Sequence, residues 1–432
     1  MSFKLLINVK EGVGVQDLNI HSKKYENSVA FLFFLCWGFV FFDQSALALL
    51  FPLIVEEIPL NTAQIGQISM LQMIGFSISA PIFGILADRL GRKKLFLVLF
   101  ALGTSLFCGL TTMANSFEYL LVIRTLLGIC EGAVLPIMIT ILASVSSPHK
   151  FGRNVGIVYA GAAVIATTIG PIIATQLATM TTWRITFLII ALPTLIISFF
   201  IAKLVKEPIN KVDVNTDNPV EKQKASIMEL VKNRNVVLCL ILGMFAFAGV
   251  WITLSYLPIY FTTGLKMPVE RMGLIMTLSG AVTIFWQILV PASSDKIGRK
   301  PALIGFYALA IVSPLMLYLT QGSQFAIFLY VAIGGVCLSL TAIFNSVIPI
   351  ESVKPELATT ATSLIQGIGQ LVGSLVVGFA GTFANVHGIS VIMLLIAGVF
   401  AVCALLGFIL IETNQRKIKI NTQSPQPVVN DL

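Results

Sequence analysis

Three charged residues lie well inside long apolar segments: Asp43, Arg124 and Glu131. A charge at the centre of a membrane helix costs about 2.5 to 3.5 kcal/mol on insertion scales, so such residues usually face a cavity or pair with one another. Arg124 and Glu131 are seven residues apart, which is two helical turns, so they share one helix face. Because no histidine falls inside an apolar segment, a proton relay would have to use the carboxyl groups. We predict that Asp43 and Glu131 bind protons.

A short charged hinge occurs twice between apolar segments. It reads GILADRLGRKK over residues 84–94 and DKIGRK over residues 295–300, 207 residues further along the chain. The repeat indicates two copies of a multi-helix unit. The three buried charges are not repeated, because the same offset leads to Val250, Val331 and Leu338. Their chemistry is therefore predicted for the first half only.

Long apolar segments must position these groups. The chain is 56% apolar and 11% charged, with a mean hydropathy of +0.92, whereas soluble domains carry about 25% charged residues. About 20 apolar residues cross a hydrocarbon core of roughly 30 Å. Twelve such segments are predicted, near residues 30–54, 64–86, 95–114, 118–142, 154–178, 183–205, 234–262, 269–292, 301–320, 324–348, 357–383 and 388–411. We predict an all-α membrane protein with twelve transmembrane helices in two six-helix bundles.

The predicted domains follow from this spacing. They are an N-terminal tail (1–28), a first bundle (29–205), a linker (206–233), a second bundle (234–411) and a C-terminal tail (412–432). The linker is the long polar stretch between the two sets of apolar segments, and its composition favours a plain tether.

Basic residues predict which side of the membrane each loop occupies. Of 28 Lys and Arg residues, Arg184, Lys266 and Arg271 fall in loops of one side and Arg124 lies within a helix. The others fall on the opposite side, which the positive-inside bias identifies as the cytoplasm. Both termini and the linker are predicted there. The net charge of +8 is thus explained by topology and contact with anionic lipids, not by nucleic acid.

The sequence predicts no cofactor and no metal site. All six cysteines lie in apolar segments without CxxC spacing, as expected of packing residues. The chain has no G-x-x-x-x-G-K-[ST] loop, which disfavours a nucleotide-driven pump. Nothing indicates enzymatic catalysis. The lack of an N-x-[ST] sequon and of a long outer loop favours a bacterial inner membrane.

The 6 + 6 arrangement, the central linker and the hinge G-x-L-A-D-R-x-G-R-K-K resemble the major facilitator superfamily. The resemblance covers essentially the whole chain, although Pro291 stands where the first hinge has Gly84. It implies alternating access, with gates that link the two halves on the cytoplasmic side in the outward-open state. The predicted gating residues are Asp88, Gly91, Arg92, Asp295, Gly298 and Arg299. The alternative is a charged tight turn that only fixes topology.

Three segments resemble the organic anion:cation symporter branch more narrowly: FFDQSALALLFPLI, RTLLGICEGAVLP and TWRITF. Members of that branch couple the uptake of small carboxylates to protons, and the resemblance assigns the proton-linked charges to Asp43 and Glu131. Gln44 departs from the pattern of this branch, because many of its members have an arginine at that position, which contacts the anionic substrate. A neutral amide favours a less charged, zwitterionic or neutral solute.

All candidate substrate contacts are polar residues that are predicted to lie within transmembrane helices: Arg124, Gln44, Tyr256, Asn345 and Gln366. Arg124 has two open interpretations, as an anchor for the substrate or as the ion-pair partner of a cavity acid. The expected partners are a small organic solute, protons and membrane lipids, and the expected state is a monomer. A proton-coupled drug exporter, a proton-independent facilitator and a membrane sensor built on a transporter scaffold are the alternatives.

Overall fold

The computed structural model describes residues 23–147, 151–207, 229–353 and 355–414. Within these ranges, twelve helices are long and apolar enough to cross a membrane. The first six are α1 (Lys23–Glu57), α2 (Thr62–Leu90), α3 (Lys93–Leu110), α4 (Phe117–Val145), α5 (Phe151–Gly161, Ala162–Ile169 and Gly170–Met180) and α6 (Trp183–Leu204). The second six are α7 (Arg234–Ile259 and Tyr260–Gly264), α8 (Val269–Ile297), α9 (Arg299–Leu319), α10 (Gln324–Ile333, Val336–Ser339, Ile343–Val347 and Ile348–Ser352), α11 (Pro355–His387) and α12 (Val391–Ile409). The predicted helical membrane fold is confirmed.

Two predicted boundaries differ from the structure. Helix α1 begins at Lys23, whereas the N-terminal tail is predicted to extend to residue 28. The prediction rests on apolar length, and the first turn of this helix is polar. After α12 ends at Ile409, residues 410–414 continue as an ordered segment. Most of the predicted linker, residues 208–228, lies outside the described residues.

Close helix packing in the first bundle depends on small residues. Helix α4 crosses α2 at Gly128 and Gly132, where a Cβ atom at Gly128 would lie 3.0 Å from the Cα atom of Gln72. Any larger residue at this position would push the two helices apart, since lipid provides no hydrophobic force that would press them together again. This contact therefore fixes which side chains of α2 face α4.

The two bundles touch near one end of their helices. In the first turns of α2, Gly66 packs on Gly381 of α11, and an added Cβ atom would lie 3.3 Å from the Cα atom of Gly381. Helix α8 likewise approaches α5 at Gly280, where a Cβ atom would lie 3.1 Å from the Cα atom of Thr168. The α2–α11 contact lies beside the loops that join α1 to α2 and α11 to α12, on the side away from the charged hinges.

Among the described residues, three helices that border the cavity between the two bundles contain π-helical segments. The segments are Ala162–Ile169 in α5, Tyr260–Gly264 in α7 and Ile343–Val347 in α10. Such wider turns are rare and often occur at functional sites. The outer surface, by contrast, is apolar, with exposed side chains such as Phe285, Phe328 and Leu405. Apolar residues on this scale are suited to contact with lipid.

Candidate functional site

A central cavity of about 110 Å³ lies between the two bundles. Helices α1, α2 and α5 form one wall, and α7, α8 and α10 form the other. Of the described residues that line the cavity, none is charged. The polar lining groups are Gln44, Ser45, Ser69, Gln72, Thr167, Thr253, Ser255, Ser279 and Thr283, and the ring-bearing ones are Phe41, Trp251 and Tyr330. The site can therefore hold a small solute through ring contacts and neutral hydrogen bonds.

Asp43 and Arg124 form an ion pair inside the first bundle. Arg124 Nη1 donates to Asp43 Oδ1 at 3.5 Å, and the two side chains are only 0% and 2% exposed. The guanidinium also lies over the ring of Phe187, 4.4 Å from its centre, a favourable cation–π geometry. Its Nε and Nη2 atoms donate no hydrogen bond to any described residue. Neither Asp43 nor Arg124 belongs to the cavity lining.

Glu131 is also fully buried, and a single side chain connects it to the cavity. Its Oε2 atom accepts a hydrogen bond of 3.2 Å from Gln72 Nε2, while Oε1 accepts none from the described residues. Gln72 lines the cavity. The glycine contacts between α2 and α4 bring the two side chains together. A carboxyl group thus lies one side chain away from the space where a solute could bind.

The sequence predicts that Asp43, Arg124 and Glu131 face a cavity or pair with one another, and the structure puts all three inside the first bundle behind the cavity wall. Gln44, the neighbour of Asp43 in the sequence, does line the cavity. Its Nε2 atom donates only to Met73 Sδ, at 3.6 Å.

The other predicted substrate contacts lie away from the lining. Tyr256 is 0% exposed and donates to the carbonyl of Val377 at 3.1 Å, next to the α2–α11 contact. Asn345 Nδ2 donates to Gln366 Oε1 at 2.6 Å, which joins α10 to α11. In this conformation these side chains connect helices, and a role in substrate binding stays a prediction.

The second hinge is a cluster of ion pairs within one bundle. Arg299 donates to Asp295 at 2.5 Å and to Glu351 at 2.9 Å, and all three residues belong to the second bundle. Gly298 has φ +107° and Gly91, in the first hinge, has φ +63°, a backbone region that favours glycine. Arg92 precedes the first residue of α3, and the side chain of Asp88 is outside the described part. A latch across the bundles stays a prediction for another conformation.

Two glutamates that sequence reasoning missed bind these hinges from the ends of the bundles. Glu412 accepts from the backbone N–H groups of Arg299 at 2.9 Å and Lys300 at 3.1 Å. Glu207 accepts from the N–H group of Lys94 at 3.0 Å. Carboxylates at helix N-termini are stabilised by the unpaired N–H groups and the helix dipole. The sequence did contain one signal for these glutamates: each lies three residues after the last helix of its bundle, α6 or α12.

Comparison with known proteins settles the family. Residues 33–377 match the Major Facilitator Superfamily. The chain belongs to this superfamily. It is therefore a multi-pass membrane transporter and not an enzyme, and the predicted family is confirmed.

Similar proteins include transporters of organic solutes. The chain is 25% identical over 375 residues to a probable 4-methylmuconolactone transporter of Cupriavidus pinatubonensis, covering 85% of this chain and 86% of that protein. It is 26% identical over 411 residues to the hexuronate transporter of Bacillus subtilis, covering 88% and 93%. It is also 26% identical over 385 residues to a multi-drug resistance efflux pump PmrA homolog of Lactococcus lactis, covering 84% and 92%. The first two agree with the resemblance to organic anion:cation symporters.

The fold also matches solved structures of the superfamily. A bacterial homolog to the human lysosomal transporter Spinster, in an inward-facing and occupied conformation, has a TM-score of 0.77 with 15% identity, over 94% of this chain and all of that chain. At this identity the likeness concerns the fold alone.

Proposed function

We propose that this transporter takes up a small organic solute together with protons by alternating access. The hydrogen bond between Gln72 and Glu131 carries this proposal, because Gln72 also lines the cavity. One side chain thus contacts both the solute site and a buried carboxyl group. Glu131 and Asp43 are the proposed proton-binding residues, and Gln44 is a proposed substrate contact.

Protonation of Glu131 changes what Gln72 can offer a solute. An ionised carboxylate holds the amide N–H in a charge-assisted hydrogen bond, which is roughly twice as strong as a neutral one. When Glu131 carries a proton, this hold weakens and the amide is freer to turn toward the cavity. Proton binding therefore favours solute binding, and solute release favours deprotonation, as the reciprocity of linked equilibria requires.

Asp43 is proposed to act more indirectly. It neutralises Arg124 and is directly followed by Gln44, whose side chain lines the cavity. A proton on Asp43 would leave a fully buried guanidinium without its counter-charge, which is unfavourable. Movement of the proton at Asp43 therefore has to accompany a shift of α1 or α4, and such a shift moves Gln44.

The contacts between the bundles support alternating access. Gly66 and Gly381 pack together on the side away from the hinges, which is the arrangement expected when a cavity is closed to the outside. Rocking of two repeats about a midplane site is the general mode of such folds. In the opposite state, Asp88, Arg92, Asp295 and Arg299 are proposed to join the bundles on the cytoplasmic side. We place the protein in a bacterial inner membrane, as a monomer with both termini in the cytoplasm.

The substrate class has support in two directions. The hexuronate transporter among its relatives favours a carboxylate. The enclosure of Arg124 behind the cavity wall favours a solute that does not need a cationic anchor. The efflux pump among the relatives favours a second candidate function, the export of a solute in exchange for protons.

The test is proton movement in liposomes that contain the purified protein and a pH-sensitive dye. Small carboxylates, amino acids, nucleosides and cationic dyes are added in turn. We expect solute-driven proton entry in wild type and in the matched control Glu118→Gln, an exposed glutamate of the same helix. It should be absent from Glu131→Gln and Asp43→Asn, while exchange of solute across the membrane persists. Unchanged proton entry in both variants would contradict the coupling, and proton movement opposite to the solute would establish the exporter.

A further inference from the structure

We propose that the central cavity selects an uncharged solute with one flat ring and at least one N–H or O–H group. This selectivity rests on the proposed function, because the cavity must be the place where the transported solute binds. It narrows the solute from the broad class of small metabolites to neutral aromatic or heteroaromatic amides and alcohols.

The lining excludes ions because it offers them no counter-charge. Among the described lining residues, no side chain is charged, and an ion moved into such a site loses hydration without a compensating partner. The nearest cation, Arg124, is paired with Asp43, covered by Phe187 and 0% exposed. The nearest unpaired acid, Glu131, lies behind Gln72. Both charges are thus withheld from direct contact with a solute.

Several hydroxyl groups of the lining are available to a solute chiefly as acceptors. Four of its seven Ser and Thr hydroxyl groups already donate to carbonyl groups of their own helices, and their oxygens remain free to accept. The indole N–H of Trp251 is donated to Gln370 Oε1 at 2.6 Å. An ionised carboxylate has only acceptor atoms. It could not bond to these acceptors, whereas a solute that donates finds partners there.

Gln44 supplies the specific acceptor. Its side chain is 8% exposed and lines the cavity, yet its Oε1 atom accepts no hydrogen bond from the described residues. The amide is held only by a contact with Met73 Sδ, and sulfur is a weak acceptor, so the group turns easily. A buried polar atom without a partner is unfavourable. A donor on the solute completes the hydrogen bonding of this amide.

Two aromatic rings of the lining, one from each bundle, lie side by side and offer one aromatic surface to the ring of the solute. Phe41 of the first bundle and Trp251 of the second have ring centres 6.5 Å apart at an angle of 43°. The bond to Gln370 holds the indole of Trp251 in place beside the cavity. The volume of about 110 Å³ is similar in scale to the cavity of about 150 Å³ that holds a benzene molecule in an engineered protein. The cavity therefore suits one ring and a short polar group.

Three probes of equal shape test the charge preference: benzamide, benzoate and benzylamine, measured at pH 7.5 by equilibrium dialysis against the purified transporter. We expect benzamide to bind at least tenfold more tightly than either ion. Tighter binding of benzoate or benzylamine, or no measurable binding of benzamide, would overturn the proposed class.

Variants locate the binding and separate this selectivity from the transport mechanism. Trp251→Leu should weaken benzamide binding at least tenfold, whereas the control Trp286→Leu, outside the lining, should not. Gln44→Leu should weaken benzamide binding, and Gln44→Arg should reverse the preference toward benzoate.

If Trp251→Leu and Gln44→Arg leave all three affinities unchanged, the cavity is not the solute site and the proposed function loses its basis. If both variants respond but wild type prefers an ion, the solute site stands and only the neutral class is wrong.

Discussion

Two pairs of equivalent positions in the duplicated unit line opposite walls of the cavity, and they hold different chemistry. Gln44 of α1 and Trp251 of α7 are 207 residues apart, the same offset as the two hinges, and both line the cavity. The same holds for Gln72 and Ser279. In the first bundle these positions carry amides, behind which buried charges lie, and in the second they carry an indole and a hydroxyl group. Equivalent positions thus carry different residue types, which agrees with the proposed division between proton binding in the first bundle and ring recognition in the second.

Breaking the buried ion pair of the first bundle should cause the largest loss of stability. In Arg124→Leu, Asp43 keeps a buried charge without a partner, so we expect a loss of about 3–5 kcal/mol in the free energy of unfolding. The corresponding charge cluster of the second bundle is more exposed, and Arg299→Leu should cost about 1 kcal/mol because Asp295 is 62% exposed. Unfolding in mixed micelles measures both.

The double variant Asp43→Asn with Arg124→Leu is the control for this difference. It removes both charges, so it should recover most of the stability lost in Arg124→Leu. No recovery would mean that the loss came from packing against Phe187, and the contrast between the two bundles would then not be one of charge.

A pair of glutamines sharpens the proposed division of tasks. Gln72→Leu removes the donor to Glu131, so we expect proton entry per solute to fall well below the wild-type value. Gln370→Leu releases the indole of Trp251 and should weaken solute binding without changing the number of protons per solute. The measurement is solute and proton flux in the same liposomes. An equal loss of coupling in both variants would abolish the distinction.

The two glutamates that bind the hinges should give the smallest effect. Glu412 accepts from two backbone N–H groups of its hinge and Glu207 accepts from one. We expect Glu412→Gln to lower the free energy of unfolding by about 0.3–1 kcal/mol and Glu207→Gln by less. Thermal unfolding at low and high salt checks this, because screening should shrink both losses. A larger effect of Glu207→Gln would contradict the assigned contacts.

Some of the candidate site could be predicted from sequence because charges in a membrane helix are rare. Asp43, Arg124 and Glu131 were singled out on that basis, and the structure brings Asp43 and Arg124 together although they are 81 residues apart. Gln72 and Trp251 gave no comparable signal, because uncharged polar and aromatic residues occur throughout membrane helices. Tyr256 was equally plausible by sequence, yet it packs at the α2–α11 contact and not in the cavity.

The sequence by itself determined the number of helices and their duplication. The bilayer requires about 20 apolar residues for each crossing, and the repeated hinge marks the two units, so both features are written along the chain. Only the tertiary structure decided which face of each helix meets the cavity. These helices are apolar on nearly all sides, so hydropathy does not fix their rotation, whereas close contacts such as Gly128 against Gln72 do. That rotation places Gln72 between the cavity and Glu131, and it puts Arg124 behind the cavity wall in this conformation.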